Sequence, residues 1–291
     1  MAFIRKNFLL IIVCIFLFFT GVEVSLKFQK DMNSYKRNYI ELHKECLETG
    51  EYILCQHYGE DYKKLDTINS FGYMLFSYDA TSRLQLLFPL FIIILSVYSF
   101  SKYLRGGVLK NSILRIQYRK FIIRKYINTL KYAIIPPLFL LLLFICAYII
   151  SGNFDYKYGI YSFGYNAFGT YNAEHLILFL FVYFFNFFLR GIFWINIGIY
   201  NCKYNKNKFV ASMISYIEYI MIFLILETGI GETIFYKRPM MYYLLLTNVW
   251  VFSKVSLCGM TLMSLTLVLI SSVFVFFAYK NKEDVLVEVE K

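Results

Sequence analysis

The chain has 291 residues, of which 59% are hydrophobic, and a formal charge of +11 at pH 7. Its apolar residues fall in blocks of about 20, enough to cross a hydrocarbon core at about 1.5 Å per residue, which excludes an ordinary soluble enzyme or binding module. The positive balance reads as charge asymmetry across a membrane plus contact with anionic lipid headgroups, so no nucleic-acid partner is expected.

Six spans are predicted, over residues 8–24, 84–103, 132–150, 176–200, 209–230 and 257–279. The blocks lack the alternation of barrel strands, and backbone polar groups in hydrocarbon must be bonded internally, so the spans are helices. The expected fold is an all-α, polytopic integral membrane protein with a single transmembrane domain over 1–291. The first span, flanked by Arg5 and Lys6, resembles a signal peptide, but Val22-Glu23-Val24-Ser25 is a poor cleavage site. It is read as a signal-anchor helix.

Residues 27–83 form a polar extracellular cap segment with short helices expected between Asn33 and Tyr62. They are too few for an independent core. Cys46 and Cys55 have eight residues between them and lie outside, where oxidation is permitted; a disulfide and two free thiols both fit. His43 and His57 flank the pair, but the spacing matches no zinc module, so no metal site is expected.

Ser101–Lys131 carries nine Lys/Arg and no acid. A short basic connection beside membrane spans stays on the cytoplasmic side. With both termini inside, Arg5, Lys6, this loop, Lys203, Lys206, Lys208, Lys280, Lys282 and Lys291 all fall on that face. The protein is therefore expected in the cell membrane as a multi-pass chain. Within the loop, Val108, Leu109, Ser112, Ile113 and Ile116 share one arc of a helix, with Lys110, Asn111 and Arg115 opposite and Leu114 the exception among them. This predicts a short amphipathic helix. A second helical stretch begins at Phe121 and leads into span three, kinked near its inner end by Pro136-Pro137. Such a helix either lies on anionic headgroups or receives a push from a cytoplasmic partner.

Beyond span three, residues 151–174 alternate Tyr and Phe with Gly and Asn, as an interfacial loop or an aromatic rim for an amphipathic substrate does. Span four carries Asn186, Arg190 and Asn196, and span five carries Glu218 and Glu227. An ionised group at mid-bilayer costs about 2.5 kcal/mol or more unless it faces protein or water. One expectation is that Arg190 pairs with Glu218; the other is that each packs on carbonyls or snorkels. Pro239–Phe252 is apolar but too short for a span, and fits a re-entrant element before the last helix.

No phosphate-cradling Gly-x-x-x-x-Gly-Lys-Ser/Thr loop, His-Glu-x-x-His pair or Gly-x-Ser-x-Gly elbow occurs. Gly107-Val-Leu-Lys-Asn-Ser-Ile-Leu-Arg-Ile-Gln-Tyr-Arg-Lys-Phe-Ile-Ile-Arg-Lys-Tyr-Ile resembles the loop between the second and third spans of type-2 ABC exporter permeases. Gly107, Lys110, Arg115, Arg119, Lys120 and Lys125 fall at the matching places. Where the family has a Pro after the Arg this chain has Ile116, and Leu104-Arg105-Gly106 stands in place of its Glu. The resemblance implies a coupling helix that grips a cytoplasmic ATPase subunit, with Gly107, Lys110, Arg115, Arg119 and Lys120 as the coupling residues. It also implies a second permease chain, identical or related, and an amphipathic cargo: a peptide, lipid or drug. No cofactor is expected on this chain; ATP and Mg belong to the partner, and the chain itself is not an enzyme. The alternatives are a membrane sensor or immunity protein with a ligand-binding outer cap, and an intramembrane enzyme. For the enzyme, Glu218 and Glu227 lie at opposite helical phases and do not form a paired-carboxylate site.

Overall fold

A computed structural model describes residues 2–49, 67–76, 79–104, 109, 117–152, 176–226, 257–283 and 285. All elements among them are helical: α1 (Ala2–Thr49), α2 (Thr67–Phe76), α3 (Asp79–Leu104), α4 (Tyr118–Leu130), a 3-10 turn (Lys131–Ile134), α5 (Ile135–Ser151), α6 (Leu176–Tyr204), α7 (Lys208–Leu224) and α8 (Leu257–Ala278). The chain is membrane-embedded by length and composition, with five helical stretches long and apolar enough to cross a bilayer: 7–45, 86–104, 118–151, 180–204 and 261–278. Of the predicted fifth span, 209–226 is helical and 227–230 lies outside the described residues. There α7 has 17 residues, about 25 Å of rise, before a π turn at Ile225–Leu226. The re-entrant stretch 239–252 and the aromatic loop lie outside the described residues.

Two expectations are corrected. In place of short helices after Asn33, α1 continues unbroken through Thr49. Beyond a kink at Asn7, its 42 residues to Thr49 run about 63 Å, about twice a hydrocarbon core. Phe28 and Met32 of this stretch are buried in the core, and Lys27 bonds Glu23 at 2.6 Å, one turn back. The stretch expected to begin at Phe121 begins at Tyr118. At the Pro136-Pro137 site, where a kink is expected, a 3-10 turn directly precedes the prolines, which sit in the first turn of α5. Neither proline has an N–H for the carbonyls one turn earlier, and the chain tightens into the 3-10 turn, where Ile135 N–H bonds the Tyr132 carbonyl.

The long helix α6 is the axis of the bundle and packs against α3, α5, α7 and α8. Two glycines set its closest approaches. A Cβ on Gly191 would stand 2.8 Å from Ala133 Cα, and one on Gly198 would stand 2.7 Å from Ser96 Oγ. Small residues let membrane helices close where burial of apolar surface supplies no drive. Part of the segment read as an outer cap belongs to the bundle: α2 packs on α5 and α3, with Phe71, Met74 and Leu75 fully buried and Thr67 Oγ1 3.0 Å from Ser151 Oγ.

Candidate functional site

Helix α4 repeats apolar or small residues at Tyr118, Phe121, Ile122 and Thr129, all buried. This 3.6-residue stripe turns the helix inward, while Arg119, Lys120, Ile123, Arg124, Ile127 and Asn128 stay exposed. Along the inward edge α4 is tied to three other helices. Tyr118 Oη donates to the Tyr279 carbonyl at 3.0 Å, just past α8. Tyr279 Oη in turn donates to the Ile199 carbonyl of α6 at 2.8 Å. Tyr126 Oη donates to Asn196 Oδ1 of α6 at 2.8 Å. On α3, Tyr103 accepts from Asn128 Nδ2 at 3.2 Å and lies under the Lys125 ammonium, 4.1 Å from its ring centre.

Asn196 is fully buried and uses its whole amide: Nδ2 donates to Ser271 Oγ at 2.9 Å and Ser272 Oγ at 3.0 Å on α8. An amide so enclosed costs free energy unless each end is bonded. The three partners therefore fix the depth and rotation of α4 and α8 relative to α6. Higher on α6, Asn186 Nδ2 donates to Thr261 Oγ1 of α8 at 3.0 Å and to the Val182 carbonyl at 2.8 Å. Asn186 Oδ1 has no hydrogen-bond partner among the described residues.

Arg190 is 5% exposed, its guanidinium 5.5 Å from the Phe187 ring centre, with Tyr183 and Tyr219 as electrostatic neighbours. Burial within the bundle is how a cation is held at membrane depth. The pairing expected with Glu218 gives way to separate surroundings. Glu218 Oε2 accepts from Asn201 Nδ2 at 2.5 Å, and Asn201 lies 11 residues, about 16 Å, along α6 from Arg190. Helical side chains lean toward their own N-terminus. Since α6 and α7 run in opposite directions, Arg190 and Glu218 lean apart.

Among the predicted coupling residues, Arg119 and Lys120 are described: both stand exposed in the first turn of α4. Gly107, Lys110 and Arg115 lie outside the described residues, as do Glu227, Cys55 and the side chain of Cys46, so the disulfide falls outside as well. Of the anticipated amphipathic helix only Leu109 is described, and it is buried at 1% exposure. Sequence reasoning missed Tyr118, Tyr126, Tyr279, Ser271, Ser272 and Asn201. The stripe on α4 was visible in the spacing, but which buried groups its tyrosines meet is a property of helix packing. No group of three or more His, Cys, Asp or Glu among the described residues is placed to hold a metal ion. No family model, curated protein or solved structure matches the chain.

Proposed function

We propose that the chain is the membrane-spanning permease subunit of an ATP-driven exporter, with six spans, both termini in the cytoplasm and a coupling helix in the loop before α4. A separate ATPase subunit grips that loop, through Gly107, Lys110, Arg115, Arg119 and Lys120, and supplies ATP and Mg; a second permease chain completes the pathway. The observation that carries the reading is the attachment of α4. It continues the basic loop, displays Arg119 and Lys120, and is hydrogen-bonded to α3, to α6 and, just past its end, to α8. A push on the loop therefore reaches buried groups of the bundle rather than a flexible tether. The work is a population shift: ATP-driven dimerisation of the partner favours one arrangement of two bundles, by as much as its differential affinity allows. No residue of this chain performs covalent chemistry.

The test is co-purification from the native membrane. An ATPase subunit should accompany the wild-type chain and be lost from the variant R115E/R119E, while the variant stays folded and monodisperse. Recovery of the ATPase at full yield with that variant would refute the docking site, and the absence of any ATPase from the wild-type complex would refute the exporter. The alternative of a sensor or immunity protein is favoured by one feature, the projection of α1. Residues 33–49 add about 25 Å of helix beyond Met32, the last apolar residue of α1 buried among those whose side chains are described. Under that reading the ATPase would be absent and a ligand would protect the projection from proteolysis.

A further inference from the structure

Three contacts define the depth of α4 beside its neighbours. Ala133 is level with Gly191, where a Cβ would meet its Cα at 2.8 Å. Helices α6 and α8 run parallel in a fixed register, Asn186 beside Thr261 and Asn196 beside Ser271, which sets Gly191 level with Thr266. Ten and eleven residues further along α8, Phe276 and Phe277 are 61% and 62% exposed, the last large apolar side chains of its lipid-facing surface. Taken as the edge of the hydrocarbon at the basic end of the bundle, they lie about 15 Å from the level of Ala133.

Counting back from Ala133 at about 2.0 Å per residue through the 3-10 turn and 1.5 Å through α4 places Arg124 level with Phe276. Lys120 then lies about 6 Å outside that edge, and Lys131 about 11 Å inside it. These three cations are exposed and share one face of the helix at spacings of four and seven. No carboxylate pairs with them among the described residues. Beside them runs an exposed apolar row, Ile123, Ile127 and Ile134, which continues the lipid-facing surface.

A cation row rising a third of the way through the core cannot face hydrocarbon, because each ionised group there costs about 2.5 kcal/mol or more. Snorkelling moves a lysine ammonium by about 6 Å, roughly half the depth of Lys131. A cytoplasmic protein docks outside the bilayer and does not reach 11 Å inside it. Among the described residues the carboxylate that a second copy offers near this depth is Glu218, half-buried and already held by Asn201 of its own chain. We infer that Lys120, Arg124 and Lys131 form a headgroup track for an anionic lipid of the adjoining leaflet, the phosphate stepping along the cations while the acyl chains lie on the Ile123–Ile134 row. This rests on the exporter reading for its purpose, since it names the cargo class as an anionic amphiphile, but the site itself is testable without a partner.

The full chain in phosphatidylcholine nanodiscs carrying a tenth of photoactivatable phosphatidylglycerol should be labelled at 120–134, and a photoactivatable phosphatidylcholine should label there at least tenfold less. Each basic residue near a lipid surface contributes about a fivefold preference, so K120Q/R124Q/K131Q should lose phosphatidylglycerol labelling by roughly a hundredfold, while K120R/K131R retains it. The Arg variant separates loss of charge from loss of fold. Equal labelling by the two lipids, unchanged labelling of the glutamine variant, or crosslinks that join two chains in place of lipid would each overturn the site. Failure here leaves ATPase co-purification intact, whereas specific labelling without any ATPase in the native complex sinks the exporter and keeps the site.

Discussion

Replacing Tyr126 by Phe removes one hydroxyl and changes almost no volume, so it isolates the bond that ties α4 to the bundle axis. The loss strands Asn196 Oδ1, on a residue with no exposure. A buried acceptor left unbonded costs about 1–3 kcal/mol, while single hydrogen bonds between membrane helices average about 0.6 and reach about 1.7 kcal/mol. The expected loss for Tyr126→Phe is therefore about 1–2 kcal/mol. Asn196→Ala removes three bonds and leaves a void, and should cost about 2–4 kcal/mol. Ser271 softens that loss, because its hydroxyl keeps the Val268 carbonyl at 3.1 Å. The double variant should be no worse than Asn196→Ala by more than a few tenths of a kcal/mol, giving a coupling near 1 kcal/mol. Unfolding of the purified chain by sodium dodecyl sulfate titrated into mild detergent micelles measures all four corners of this cycle. Additive losses, or a neutral Tyr126→Phe, would refute the claim that this hydroxyl holds α4 to α6.

Two further outcomes follow from the packing. At Gly191 the obstacle is space: Gly191→Ala pushes a methyl group onto the Ala133 backbone, and the helices must separate at about 1–3 kcal/mol. At Gly152 the obstacle is conformation, since φ is +67° with nothing within 4 Å; Gly152→Ala should cost about 1 kcal/mol. Gly191→Ala should lower the yield of monodisperse protein after a brief heat step more than Gly152→Ala does, and equal damage at both would contradict the close crossing. For the two buried ionisable groups, Arg190→Glu and Glu218→Arg should each destabilise the bundle, and combining them should fail to rescue folded yield, because Glu218 belongs to Asn201. Recovery in the double variant would mean that the two charges share a site.

The sequence by itself determined that this is a helical membrane protein, roughly where each apolar helix lies, and, through Pro136-Pro137, where one of them departs from α geometry. Those properties are local: hydrophobic length, the demand that backbone groups be bonded in hydrocarbon, and a missing N–H. It also exposed Asn186, Arg190, Asn196 and Glu218 as polar residues inside apolar spans, since each stands out against its neighbours. Which of them meet was decided only by tertiary packing. Helix rotation and offset placed Asn201 under Glu218, turned Arg190 toward Phe187, and set Tyr126 against Asn196, none of which a single helix's periodicity encodes. On the register inferred above, the same packing carries Lys131 to hydrocarbon depth. In the sequence it is one more basic residue of a polar loop; packed with Ala133 against Gly191, α4 becomes the inner third of a membrane-crossing helix, and its charges acquire a depth.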